Sequence, residues 1–316
     1  MPDATPSPAT VSATIRAAID AFATTQPWDD TQVFDDAEHG FVARSGERQI
    51  RNAEGRVVWD LDAYRFLDGP PADTANPSLW RQGPPLIKDG LFEVVPGIYQ
   101  LRGFDLSVMS VIEGDTGVIV IDPLISRETA AAAFALYTEH RGARPVVAMI
   151  YTHSHIDHFG GVKGIITDDD VASGRTQVIA PEGFMDYAVS ENVYAGTAMA
   201  RRAGYMYGAA LPKGPAGQIG TGLGQTTSLG EPTLIAPTVD ITTTGQELVI
   251  DGVRIVFQVT PGTEAPAEMN TWFPDLKAFW AAENIVATVH NIYTLRGALV
   301  RDALEWSRQI NKALFL

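Results

Sequence analysis

Four side chains that commonly bind metal ions fall within six residues: His153, His155, Asp157 and His158, in Thr152-His153-Ser154-His155-Ile156-Asp157-His158. Imidazole nitrogen and carboxylate oxygen are the usual protein donors to zinc. From one tight turn the four cannot all close on a single ion, but they can divide between two neighbouring ions, which predicts a binuclear zinc centre. Three of the six histidines lie here, a concentration that sets the cluster apart from an ordinary solvated loop.

A binuclear centre needs more donors than this stretch supplies, and the remaining histidines are badly placed to help. His39 and His140 precede the cluster, and none occurs between His158 and His290. If one ion takes His153 and His155, its next ligand from that interval must be a carboxylate. Thr260-Pro261-Gly262-Thr263-Glu264-Ala265-Pro266-Ala267-Glu268 offers two, of which Glu264 is the choice and Glu268 the rival. Glu283, in the apolar stretch Phe279-Trp280-Ala281-Ala282-Glu283, is costly to bury without a cation and reads either as a carboxylate between two metals or as a hydrogen-bonded core acid. His290 reads as a ligand, an acid/base residue or a satisfied core histidine.

The elements that must position these groups follow from hydrophobic patterning. The cluster directly follows Val146-Val147-Ala148-Met149-Ile150, a buried strand, and Phe159-Gly160-Gly161 turns away from it toward a helix. Between Leu91 and Asp122 short β-rich runs predict three or four strands of one sheet, followed by a helix over Arg127 to His140. Gln177 to Ala180 reads as a strand, Glu182 to Arg202 as mainly helical, and Leu211 to Gly230 as irregular. Leu248 to Val259 reads as a hairpin turned by Asp251-Gly252, which sets the Glu264 loop at a strand end like the one that carries the histidines. Upstream, the pattern predicts a frayed tail to about Thr10 and a helix over Val11 to Phe22. It also predicts a hairpin pairing Gly40–Ala43 with Val57–Trp59, and an irregular arm over Phe66 to Lys88 with Trp80 as its packing anchor. Strands alternating with helices indicate an α/β or α+β layered fold, divided into residues 1–90 and a catalytic domain over 91–316.

Composition narrows the chemistry. With 316 residues, 45% of them hydrophobic, the chain can bury a sizeable core. A formal charge of −15 argues against general affinity for nucleic acid or anionic membrane, so an anionic substrate needs a local cationic site. The absence of cysteine removes disulfides, thiolate ligands and a cysteine nucleophile, and leaves the compartment open. No apolar run approaches membrane-spanning length, and no export signal is legible in the first thirty residues.

The cluster is similar to the HxHxDH signature of the metallo-β-lactamase superfamily. The strings THSHIDHFGGVKGI, TPGTEAPAEMN, AAEN and HNIYTLRGALVRDALEWS resemble its alkyl sulfatase branch, enzymes that hydrolyse detergents of the dodecyl sulfate type. The resemblance runs from about Asn76 to the end of the chain. It implies an αββα sandwich, with His153, His155 and Glu264 on one zinc, Asp157 and His158 on the other, and Glu283 between them. It further implies that Asp157 and His290 take part in catalysis, His290 as the acid toward the leaving group, and that Arg296 and Arg301 hold the sulfate. Guanidinium forks suit sulfate oxygens, although five positions apart on one predicted helix, Leu299 to Ile310 and the turn before it, the two arginines share no narrow face. Asn192, Tyr205 and Tyr207 fall where the branch lines its substrate pocket; core packing accounts equally well for the tyrosines. Members of the branch are longer and form homodimers. Their last metal histidine lies beyond the helix, so the resemblance implies a second zinc short of one ligand and a sandwich incomplete at Leu316. The expected activity is zinc-dependent sulfate ester hydrolysis, with attack at carbon or sulfur left open. The rivals are a lactone, lactam or thioester hydrolase on the same metals, and a metal-binding remnant without turnover.

Overall fold

The computed structural model describes residues 10–288 and 291–316. The amino-terminal part comprises α1 (Ala13–Ala23), α2 (Gln32–Glu38), β1 (Phe41–Ala43), β2 (Gln49–Arg51), β3 (Val57–Asp60) and α3 (Pro77–Leu86). Then come β4 (Gly90–Val95), β5 (Ile98–Arg102), β6 (Met109–Glu113), β7 (Val118–Ile121), α4 (Arg127–Arg141) and β8 (Val146–Ile150). These are followed by α5 (Asp168–Ala172), β9 (Gln177–Pro181), α6 (Phe184–Val189), α7 (Gly196–Met206) and β10 (Val239–Ile241). A second run of strands, β11 (Glu247–Ile250), β12 (Val253–Val259), β13 (Met269–Phe273) and β14 (Ala278–Trp280), precedes α8 (Ala303–Ala313).

Two sheets face each other. The larger runs β1-β4-β5-β6-β7-β8-β9-β10, antiparallel from β1 to β7 and parallel from β7 to β10. The smaller is the antiparallel order β11-β12-β13-β14. Side chains alternate between faces along a strand, so the residue parities divide cleanly. Ile98, Ile112, Ile119, Ile121, Ile150 and Ile179 meet Ile255, Phe257 and Met269 between the sheets. Tyr99, Leu101, Met109, Val111, Val118, Val120 and Met149 point the other way, onto α4 through Ala133, Leu136 and Tyr137. Each such side chain taken out of water contributes about 2 kcal/mol. On the far side of the smaller sheet α8 lies against β12, where Nε2 of Gln258 donates to the carbonyl of Gln309 at 2.8 Å. Helix, sheet, sheet, helix is the αββα layering.

Three expectations need correction. The polar turn Asn52–Gly55 does close a hairpin, but its strands are β2 and β3; β1 joins the larger sheet against β4. The segment over Phe66 to Lys88 is not irregular throughout. Asn76 caps α3 by accepting from Ser78 N at 2.9 Å and Leu79 N at 3.4 Å, Pro77 opens it, and Trp80 packs with Tyr64, Leu67 and Ile87. Proline at the first helical position favours the helix, so the glycine–proline content of this segment misleads. Finally, α8 begins at Ala303, with Asp302 as its cap, so neither Arg296 nor Arg301 is helical.

The Asp251-Gly252 turn is as the sequence demands, with positive φ at both residues, 47° and 82°. Asp105 pins two loops to the start of α4. It accepts from Leu106 N at 2.9 Å, Ser228 N at 2.9 Å and the Thr129 hydroxyl at 2.9 Å, while burial pushes its carboxyl up to about 6.

Candidate metal centre

The histidine cluster sits at the carboxyl end of β8, beside the carboxyl end of its parallel neighbour β7, the usual place for function in a parallel sheet. Asp122 follows β7 directly, with φ of 56° and no exposed surface. Its carboxylate accepts three bonds: from Thr152 N at 2.9 Å, from the Thr152 hydroxyl at 2.7 Å, and from Nδ1 of His158 at 2.9 Å. Thr152 Oγ1 in turn lies 3.0 Å from Nδ1 of His153. This network assigns the ring proton of both histidines to Nδ1 and leaves both Nε2 atoms for the centre. Gly160 and Gly161 let the turn press against the loop after β7: a Cβ would stand 2.1 Å from the Ile125 carbonyl oxygen at the first and 2.0 Å from that of Pro123 at the second.

One hydrogen bond between the two sheets and one across the base of the β12–β13 loop bring the carboxylates in. Met269 N donates to the Thr152 carbonyl at 2.9 Å and Thr260 N to that of Glu268 at 2.8 Å, so the 260–268 loop lies over the histidines. Of its two glutamates Glu264 reaches the centre. Glu268 instead holds the loop together, accepting through Oε2 from the Thr263 hydroxyl at 2.7 Å, Glu264 N at 2.9 Å and Ala265 N at 3.1 Å. Glu283, in the turn after β14, completes the set.

Two donor groups result, one of His153, His155, Glu264 and Glu283, the other of Asp157, His158 and Glu283. Nε2 of His153 is 3.4 Å from Oε2 of Glu264 and 3.5 Å from Oε2 of Glu283. Nδ1 of His155 is 2.9 Å from Oε2 of Glu264, and Nε2 of His158 is 3.3 Å from Oδ2 of Asp157 and 3.8 Å from Oε2 of Glu283. Four donors around a tetrahedral ion with bonds of about 2.0–2.1 Å lie roughly 3.3 Å apart, so the spacing suits a metal. Nε2 of His153 and Nε2 of His158 are buried without a hydrogen-bond partner, as the donor atoms of a cation site would be.

The electrostatics match. Burial opposes charge on His158, but the carboxylates of Asp157 and Asp122 outweigh it and hold the imidazole well above its ordinary range. Burial would likewise raise Glu264 and Asp157; the imidazoles of His155 and His158 outweigh it and bring both carboxyls down to about 2. Mutual attraction between buried imidazoles and carboxylates supplies here the charge balance that a divalent cation would supply more strongly.

Next to the centre opens a cavity of about 450 Å³, lined by His155, Asp157, Glu264, Glu283, Asn192, Tyr207, Arg296 and Arg301, with an apolar wall from Leu106, Ile125, Met199, Ala203, Met206 and Leu223. Arg296 lies at its edge, Nη1 3.2 Å from Oε2 of Glu191 and 3.1 Å from Sδ of Met199. Arg301 is committed elsewhere. It donates through Nε to the Glu264 carbonyl at 2.7 Å, through Nη1 to the Asn291 carbonyl at 2.7 Å, and through Nη2 to Oε1 of Glu264. Asn192 lines the cavity while donating to the Ala188 carbonyl at 2.9 Å. Burial and the nearby Asp157 push the Tyr207 hydroxyl up to about 12. Tyr205 does not join it: two positions apart on a helix means opposite sides, and Tyr205 is 92% exposed. His290 lies outside the described residues.

Asp122, Thr152 and Glu191 belong to the site although their types and spacing do not announce it. A carboxylate immediately after a fully apolar strand run, Val118 to Ile121, was the available signal for Asp122. Glu191 carries no such signal, because it reaches the cavity from a π-helical turn, Ser190–Tyr194.

Comparison with known proteins agrees with this geometry. Residues 102–266 match the metallo-beta-lactamase superfamily. A linear primary-alkylsulfatase from Pseudomonas sp. is 52% identical over 95% of this chain and 45% of its own length. An alkyl/aryl-sulfatase from Saccharomyces cerevisiae is 46% identical over 91% of this chain and 45% of its own. The solved stereoselective inverting sec-alkylsulfatase from Pseudomonas sp. superposes with a TM-score of 0.94 at 47% identity, covering 98% of this chain and 49% of that one. The chain thus spans about half the length of the curated relatives it matches. A family match over residues 102–266, with the donor residues converging at the strand ends inside an αββα sandwich, establishes that this chain belongs to the metallo-beta-lactamase superfamily.

Proposed function

We propose that this chain hydrolyses alkyl sulfate esters to alcohol and inorganic sulfate with two zinc ions, one held by His153, His155 and Glu264, the other by Asp157 and His158, with Glu283 shared. One observation carries the reading: the donor groups, Arg296 and an apolar wall open onto the same cavity. The alkylsulfatase names of the relatives supply the substrate class. Bound zinc supplies Lewis acidity and a nucleophile near neutral pH by acidifying water.

The chain's own residues do the rest. Arg296 receives the sulfate head, and its planar fork matches two sulfate oxygens. Met199, Ala203 and Met206 on α7, with Leu106 and Leu223 opposite, take the alkyl chain and exclude water from the ester. Arg301 holds Glu264 in place from behind, and Asp122 and Thr152 fix the imidazole orientations. Asn192 and Tyr207 border the head group, and His290 is the proposed acid for the departing alcohol. Asp157, His158 and Glu283 would hold the second ion, the site for which the resemblance implies one further ligand. The resemblance also implies a homodimer, which sedimentation velocity tests.

Zinc content and sulfate release from dodecyl sulfate test the proposal together. Two zinc ions and turnover support it. Two zinc ions with no sulfate release but cleavage of a lactone, lactam or thioester would move the assignment to another hydrolase, and less than one zinc with no turnover would mark a remnant. Hydrolysis in isotopically labelled water locates the attack: label in the alcohol means carbon, label in the sulfate means sulfur.

A further inference from the structure

Glu191 reaches the cavity from a turn with one residue too many for an α-helix. Such π turns are frequent at functional positions. Here the turn aims Glu191 and Asn192 at the cavity while Val193 and Tyr194 face solvent. The Glu191 side chain is nearly buried, yet it ligates neither donor group. Its Oε2 is 3.2 Å from Nη1 of Arg296 and 3.9 Å from Nε2 of His155, the ring nitrogen turned away from Glu264. Its Oε1 is buried without a hydrogen-bond partner, and so is Nε2 of His155. Arg296 meets Glu191 and Met199 through the same nitrogen, Nη1, and is one of the residues that line the cavity.

Resting on the alkyl sulfatase reading, we propose that Glu191 is a specificity-determining residue that selects a monoanionic sulfate head over a dianionic phosphate head. Sulfate and phosphate esters share a tetrahedral shape and the same kind of acceptor oxygens. Hydrogen-bond donors alone therefore separate them poorly, and charge must do so. Arg301 is already paired with Glu264, which leaves Arg296 as the described cavity arginine facing the head group, and Glu191 offsets its charge while holding one corner of its fork. A head group bound to the remaining donors sits a few ångströms from the Glu191 carboxylate. A monoanion tolerates this because Arg296 compensates it. Arg296 has no further charge to offer the second charge of a dianion, and the Glu191 carboxylate repels it, which at an effective dielectric near 20 disfavours the dianion roughly tenfold or more.

The test compares octanesulfonate with octylphosphonate, neither of which has an ester bond to cleave, by calorimetric titration of the zinc-loaded chain. Above the second ionisation of the phosphonate, the wild type is expected to bind the sulfonate roughly tenfold or more tightly. Glu191→Gln, which can still accept from Arg296, should bring the two ligands close to parity. A preference unchanged within about twofold would overturn the proposal. A measurement on the wild type alone guards against a variant that fails to fold. Below the second ionisation both ligands are monoanions and the preference should collapse; its persistence also overturns the proposal. Sulfate release from octyl sulfate by the wild type separates the two layers: turnover with an unmoved preference refutes the role of Glu191 alone, whereas neither turnover nor binding of either ligand refutes both readings.

Discussion

Replacing Asp122 tests how the metal centre is built, because one carboxylate holds three groups of the cluster. In Asp122→Asn the side-chain volume is kept and the amide oxygen still accepts from Thr152 N. The amide NH2 replaces the oxygen that now faces the Thr152 hydroxyl and Nδ1 of His158. The hydroxyl can accept from it. The imidazole can meet it only by giving up the proton on Nδ1, which moves that proton to Nε2, the atom that must ligate. Metal affinity should therefore fall by about 10–100-fold at the Asp157–His158–Glu283 group. Stability of the metal-free chain should fall by only about 1–2 kcal/mol, the worth of one charge-assisted bond exchanged for a neutral one. Asp122→Ala removes all three acceptor contacts from a fully buried position and should cost on the order of 3–5 kcal/mol. Urea unfolding of the metal-free proteins measures the second quantity, and zinc titration against a competing chelator the first. If Asp122→Asn binds two zinc ions within about twofold of the wild type, the tautomer argument is wrong.

Arg301→Met should destabilise the metal-free chain by about 3–5 kcal/mol, because it leaves the Glu264 carboxylate buried without its guanidinium; saturating zinc should shrink the difference, and an equal loss with and without zinc in thermal melts would contradict the pairing. Asp105 supplies a pH dependence. Its folded value of about 6 lies above the ordinary 3.8, so the folded state holds the proton more tightly and stability is lost as pH rises from about 4 to about 6, by about 3 kcal/mol. Unfolding midpoints of Asp105→Asn across that range should show a flatter profile, and an unchanged slope would clear Asp105 of the effect. Ala203→Trp fills the apolar wall of the cavity and should raise KM for dodecyl sulfate about tenfold or more while changing that for a short-chain ester little; equal effects on both would mean the chain does not lie along α7.

Much of the architecture was legible because it is local. Short apolar, β-rich runs bounded by turn residues assigned most strands. Asp251-Gly252 announced its hairpin because few residue pairs accept positive φ twice in succession. Scarcity of histidine between His158 and His290 required a carboxylate for the first donor group, and resemblance carried the rest of the ligand set. Reading Gly-Pro-rich stretches as breakers failed over Pro77–Leu86, because a capped helix with proline in its first turn shares that composition.

What the tertiary structure alone decided concerns choices between chemically equivalent groups. Glu264 and Glu268 are two glutamates of one loop, and only the hydrogen bonds that lay this loop over the histidines turn one toward the centre and the other back onto the loop's own amides. Arg296 and Arg301 look interchangeable in the chain, yet packing ties the second to Glu264 and Asn291 and leaves the first at the cavity. The parallel pairing of β7 with β8 brings Asp122 beside His158 across 36 residues of sequence, and that contact determines which ring nitrogen is free. Residue type determines which bonds a side chain can make. Which of them it does make depends on the neighbours that distant segments bring to it, and in this site those neighbours arrive from the ends of β7, β8, β12 and β14.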